Sequence, residues 1–133
     1  PSTLIALDAG NNRVWMAHLY RTQRPNTMFS PGGMAGMGWA VPAALGLKVA
    51  YPERPVVAVA GDGGFMMSVS ALSTAVQHKL AVVCVVFNDS ALGMVRHHQK
   101  DRRIASEFVP TDFAAIAKSM GAAFSVRTRE NSL

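Results

Sequence analysis

The sequence predicts an α/β protein: an open, doubly wound, mainly parallel sheet with helices on both faces. Three observations lead there. Short apolar runs rich in β-branched residues alternate with helix-like segments, the order a parallel sheet requires. One run, Ala81 to Phe87, is apolar at every position, the pattern of a central strand covered on both faces. Polar or glycine-rich clusters follow the strands, at the carboxyl edge where open α/β sheets bind ligands.

Leu4-Ile5-Ala6-Leu7 reads as the first strand, running into Asp8-Ala9-Gly10-Asn11-Asn12, with a short helix over Arg13 to Tyr20. Thr27-Met28-Phe29 is a short strand before the glycine-rich Ser30 to Gly38. A helix over Trp39 to Ala50 carries Pro42 in its first turn, where the missing N–H has no helical partner to lose. Pro52 and Pro55 bracket the return to a strand over Val56 to Ala60, and a helix-like segment follows Gly61-Asp62-Gly63-Gly64. Ser70 to His78 is helical, and Ala81 to Phe87 ends in Asn88-Asp89-Ser90-Ala91-Leu92-Gly93. Thr111-Asp112 caps a helix over Phe113 to Met120, which Gly121 ends in the left-handed conformation. Ala122 to Val126 is the last strand expected.

With 133 residues, half of them apolar and 16% charged, the chain is one domain with a real core rather than a disordered segment. No apolar run approaches the roughly 18 residues that cross a bilayer. The absence of a basic-then-apolar leader and the single Cys84, which rules out an internal disulfide, set the expectation of a cytoplasmic protein. The net charge of +5 gathers in Arg96 to Arg103 and Arg127-Thr128-Arg129 without interleaved aromatic residues. A solvated face, or one meeting an anionic ligand, is expected there rather than nucleic acid.

The chemistry starts at Gly61-Asp62-Gly63-Gly64. Glycines between a strand and a helix let backbone N–H groups approach phosphate oxygens, and the helix start adds positive potential. An aspartate in such a site is repelled by the anion unless a cation lies between them. Mg2+ or Ca2+, held by oxygen ligands and shared with a diphosphate, resolves the conflict. A second oxygen ligand is then needed at the end of a neighbouring strand. Asp89, 27 residues after Asp62, stands there.

The sequence GDGGF followed by the strand-final FND resembles the thiamine diphosphate motif: a GDG, one helix and one strand of spacer, then Asn-Asn or Asn-Asp. The wider resemblance is to the acetolactate synthase, pyruvate oxidase and benzoylformate decarboxylase superfamily. It rests also on Asp8 to Trp15, on Gly32 to Gly46 and on the continuation Asn88 to Val95. The resemblance implies a diphosphate-binding domain over residues 1–133, without the family's final helix and strand, that uses thiamine diphosphate and Mg2+. It implies side-chain ligation of the metal by Asp62 and Asp89 and carbonyl ligation by Ala91. Gly61, Gly63 and Gly64 would frame the diphosphate, with Gly10, Asn11 and Asn12 approaching from the neighbouring loop. Met37 would prop the cofactor in its bent form, and the Ala35 carbonyl would accept from the 4′-amino group. The function implied is that of the cofactor domain of a 2-oxo acid decarboxylase or carboligase. The alternative is a non-catalytic cofactor-binding or interaction domain. The partner implied is a pyrimidine-binding domain or subunit, or another copy of the chain, because no residue here matches the family's glutamate that protonates the aminopyrimidine.

Asp89 stands where many relatives have asparagine, and Asn12 where many have histidine. Asp62 is expected to face solvent at its loop, so that its removal spares the fold. Met34, Met66, Met67 and Met94 are read as packing, His97-His98 as solvated, and Ser68, Ser70 and Ser73 as helix-start or surface residues. A dinucleotide site is set aside because Met66 and Val41 occupy the positions of the third glycine in the two G-x-G segments.

Overall fold

The computed structural model describes residues 2–123 and residue 125. Its sheet is parallel throughout, in the order β2-β1-β3-β4, from β1 (Leu4–Leu7), β2 (Met28–Phe29), β3 (Val56–Gly61) and β4 (Val83–Phe87). Between and after the strands run α1 (Asn11–Leu19), α2 (Ala40–Ala50), α3 (Asp62–Met67), α4 (Ala71–Gln77), α5 (Gly93–Gln99) and α6 (Phe113–Ser119). The doubly wound expectation holds: alternate side chains of each strand feed cores on opposite faces. Leu4, Ala6, Val56, Ala58 and Ala60 pack with Ala40, Val41 and Ala44 of α2, with Phe65 and Leu72, and with Phe113 and Ala117 of α6. Ile5, Leu7 and Val59 point the other way, against Met16 of α1.

Local chemistry explains the element ends. Asp112 accepts from the Ala115 N–H at 2.9 Å, satisfying one of the free donors at the start of α6. Gly121 closes that helix at φ +82°, as expected, with the Ala122 N–H donating back to the Ala117 carbonyl. Of the strand expected over Ala122 to Val126, the described residues Ala122, Ala123 and Ser125 are not in a strand, while Phe124, Val126 and the basic Arg127-Thr128-Arg129 lie outside the described residues.

Two expectations are corrected. The run from Ala81 to Phe87 is not central: β4 is the edge of the four described strands. Its Cys84 and Val86 meet the larger core, while Val83, at 60% exposure, Val85 and Phe87 lie open on the α1 face. The nine-residue α1 meets β4 through Trp15, whose ring stands edge-on to Phe87 at 5.8 Å. Three of the four methionines read as packing, Met34, Met66 and Met67, are exposed instead, while Met94 is half-buried. Among the described residues, no helix is long and apolar enough to cross a membrane.

Candidate functional site

The carboxyl ends of β1, β3 and β4 bring the expected loops to one edge. In the β3–β4 register Gly61 pairs with Phe87, so the residues that follow, Asp62 and Asn88, leave the sheet side by side. Asp62 opens α3 and is buried, at 3% exposure. One carboxylate oxygen accepts from the Gly63 N–H at 2.7 Å and the other from the Ala91 N–H at 3.0 Å. The solvent-facing Asp62 expected from sequence is therefore corrected: this carboxylate ties the β4 loop to the β3 loop.

Ala91 is buried as well, and its backbone is pinned from both sides. The Leu92 N–H donates to the Ser106 carbonyl and the Phe108 N–H to the Ser90 carbonyl, around a bridge between Ala91 and Glu107. Among the described residues the Ala91 carbonyl accepts no hydrogen bond. A buried residue with a free carbonyl beside a buried carboxylate is a pair of hard oxygen donors, the chemistry that suits Mg2+. Asp89 is placed differently. Its carboxylate forms a 2.7 Å ion pair with Arg96 of α5, over the cleft holding Asn11 and Trp15. Asp62 lines a separate cleft of about 640 Å3.

The glycines after Asp62 are there because space is lacking. A Cβ on Gly63 would meet Leu92 at 2.7 Å, Met37 at 3.1 Å and Phe108 at 3.3 Å, all through the ends of flexible side chains. The nearest groups over the bare backbone at Gly63 are thus ones that can swing aside, as a cradle for a ligand requires. Gly64 is different: its Cβ would press on the Asp8 carboxylate at 3.1–3.2 Å. Met37 stands over Gly63, while Met66, Met67, Phe108, Val109 and Phe113 make the neighbouring cleft apolar.

Gly10 caps α1 at φ +113°, and Asn11 approaches Gly93. The Asn12 side chain turns into the fold, donating to the carbonyls of Asp8 at 3.1 Å and Val59 at 3.2 Å, so it braces β1 against β3. Ala35 adopts φ +48° and Ser90 φ +52°, left-handed values that non-glycine residues reach at a cost. One flanks Met37 and the other separates Asp89 from Ala91.

The residue that sequence reasoning passed over is Asp8. It is fully buried at the end of β1, and its carboxylate accepts from the N–H groups of Ala9 at 2.8 Å, Gly38 at 3.0 Å and Ala40 at 3.1 Å. It therefore ties the β1 end to the last turn of the glycine-rich loop and the start of α2, next to Met37. A lone acid closing an apolar strand was the available signal.

Fold and loops together define an α/β domain built to hold a ligand at the carboxyl edge of a parallel sheet. Residues 8–133 match the family model described as "Thiamine pyrophosphate enzyme, C-terminal TPP binding domain", and the chain belongs to that family. The chain is 39% identical over 125 residues to a probable acetolactate synthase large subunit of Methanococcus aeolicus, covering 90% of this chain and 21% of that protein. It is 38% identical over 123 residues to the mitochondrial acetolactate synthase catalytic subunit of Aspergillus candidus, covering 90% and 18%. It is 37% identical over 121 residues to the acetolactate synthase of Bacillus subtilis (strain 168), covering 89% and 21%. The chain thus spans about a fifth of the length of these relatives. It is a thiamine diphosphate-binding domain of the acetolactate synthase-like kind.

Proposed function

We propose that the domain binds thiamine diphosphate through Mg2+ and serves as the cofactor half of a 2-oxo acid decarboxylase or carboligase. The observation that carries the reading is the buried Asp62, bonded across to Ala91, whose carbonyl accepts no hydrogen bond among the described residues, and followed by two glycines where a Cβ would crowd its neighbours. Asp62 and the Ala91 carbonyl would hold the metal, with Asp89 as the third ligand. Gly61, Gly63 and Gly64 would let the diphosphate approach the backbone once Leu92 and Met37 move off. Bound thiamine diphosphate supplies a thiazolium that takes up the electrons released when a 2-oxo acid loses CO2. Asp8, through Gly38 and Ala40, fixes the loop that carries Ala35 and Met37.

The reading includes a partner and a compartment. No carboxylate of this chain is assigned to the aminopyrimidine ring nitrogen. A pyrimidine-binding domain or subunit is therefore part of the proposal, and the chain alone is inactive toward pyruvate. A cytoplasmic setting goes with it, in keeping with a single cysteine.

A thermal-unfolding assay tests the binding claim. At a hundredfold excess over Kd, thiamine diphosphate with Mg2+ should raise the unfolding free energy by about 2.7 kcal/mol, and either component alone by much less. A transition temperature that moves equally without Mg2+ contradicts the reading. CO2 release from pyruvate should appear only after a pyrimidine-binding domain from a relative is added. Release by the chain alone contradicts the partner claim.

A further inference from the structure

We propose that Arg96 gates the metal position: it holds the Asp89 carboxylate outside the site, and a divalent cation binds only by drawing Asp89 off it. The proposal rests on the cofactor reading above and names a positioning residue within it.

Three observations carry the gate. The Arg96 guanidinium donates to the Asp89 carboxylate at 2.7 Å and reaches toward the Asp89 carbonyl at 3.5 Å. That carboxylate lies across the first turn of α5, where only glycine leaves room. A Cβ on Gly93 would stand 2.8 Å from the Asp89 oxygen and 3.1 Å from the Asn11 amide nitrogen. The bare Gly93 therefore gives the Asp89 carboxylate its place beside α5. Finally, Asp89 and Arg96 line one cleft, of about 770 Å3, while Asp62 and Ser90 line the other. Two carboxylates that are to share one cation here line different clefts.

The charges around this seat favour the Asp89 carboxylate there. Arg96, His97, Lys100 and Arg103 line its cleft, against Asp89 and Asp101. Arg103 is paired with Glu107 at 2.7 Å, and among the described residues Arg96 is the cation paired with Asp89. The hinge is the left-handed Ser90 between Asp89, which must move, and Ala91, which is held by Asp62. The ion pair is weak enough to break: its side chains are 32% and 42% exposed, so solvent screens much of the attraction. Asparagine at position 89 could still ligate a cation through its amide oxygen but could form no ion pair with Arg96. The gate is therefore a property of the aspartate.

The test is calorimetric titration of the full chain with Mg2+ at saturating thiamine diphosphate, in the parent, Arg96→Gln, Asp89→Asn and the double variant. Arg96→Gln should tighten Mg2+ about two- to fivefold, the range that loss of an exposed ion pair allows. In the Asp89→Asn background the same change should do nothing. Equal tightening in both backgrounds overturns the gate, because it shows only general charge repulsion by Arg96. Unchanged or weaker Mg2+ binding in Arg96→Gln overturns it too, while a parent that still binds Mg2+ leaves the cofactor reading standing. A parent that binds no Mg2+ at all overturns both. A second cycle, on urea unfolding of the metal-free chain, reads the 89–96 coupling directly, and additive single and double variants overturn the gate whatever the cofactor does.

Discussion

Replacing Asp8 by alanine removes one carboxylate and strands three backbone N–H groups at once. The donors are Ala9, Gly38 and Ala40, at 2.8, 3.0 and 3.1 Å, around a side chain with 0% exposure. Each donor left without a partner costs about 1–3 kcal/mol when buried. The Ala9 and Gly38 bonds are only part-buried, so the lower end of the range applies to them, and the total is about 3–5 kcal/mol. A domain with about 5–15 kcal/mol of stability loses a large share of it. Asp8→Asn is the sharper probe. Its amide oxygen can serve Ala9 and Gly38, but its NH2 group then faces the Ala40 N–H, donor against donor, for about 2–3 kcal/mol. Urea unfolding followed by circular dichroism should show a lower midpoint with an unchanged slope for both variants. An Asp8→Asn unfolding free energy within about 0.5 kcal/mol of the parent's, the range of an ordinary surface substitution, would refute the anchoring role.

Two adjacent glycines should respond differently to alanine. Gly63→Ala meets only movable side-chain ends, so its folding cost is offset by the roughly 1 kcal/mol that alanine gains over glycine in a helix, whereas Gly64→Ala presses on the pinned Asp8 and should cost about 1–3 kcal/mol in urea unfolding. Asp62→Ala should abolish Mg2+-dependent cofactor binding and also lower stability by about 2 kcal/mol, because it strands the Gly63 and Ala91 N–H groups; a variant as stable as the parent would show those bonds to be unimportant. Burial raises the Cys84 thiol above its ordinary value of 9.0, so the native chain should react slowly with thiol reagents at neutral pH, and labelling as fast as that of a free peptide thiol would contradict the placement. The sign of the linkage is that of a raised pKa: the contribution is complete below about 9 and is lost as pH climbs through the higher folded value, because there the unfolded chain releases the proton first.

The sheet was legible because its strands announce themselves. Leu4–Leu7 and Val56 onward are apolar runs bounded by turn residues, and their pairing follows from the alternation of strand and helix. What an apolar run cannot state is what covers it. Val83, Val85 and Phe87 are as apolar as Cys84 and Val86, yet only the latter two meet the core. Helix α5 was missed because none of its residues is buried, so no periodic apolar face marks it in the sequence. The Asp89–Arg96 pair was hidden for the same reason, since seven positions separate the partners and only the helical turns bring them together. Asp8 read as the first residue of a loop because an acid after a strand is an ordinary turn signal; its three donors come from its own neighbour and from residues thirty and more positions away. The loops that meet at the sheet edge were legible as a set, but the direction of each side chain was not. Asn12 turns inward to brace two strands, Asp62 is buried rather than solvent-facing, and Asp89 turns to Arg96 of the helix that follows it.

The most direct test of the central claim is calorimetric titration of the chain with thiamine diphosphate, with and without Mg2+, beside the Asp62→Ala variant. The account predicts saturable one-to-one binding by the parent only when Mg2+ is present, and none by the variant under either condition. Binding of equal strength without Mg2+, or binding retained by Asp62→Ala, would contradict it.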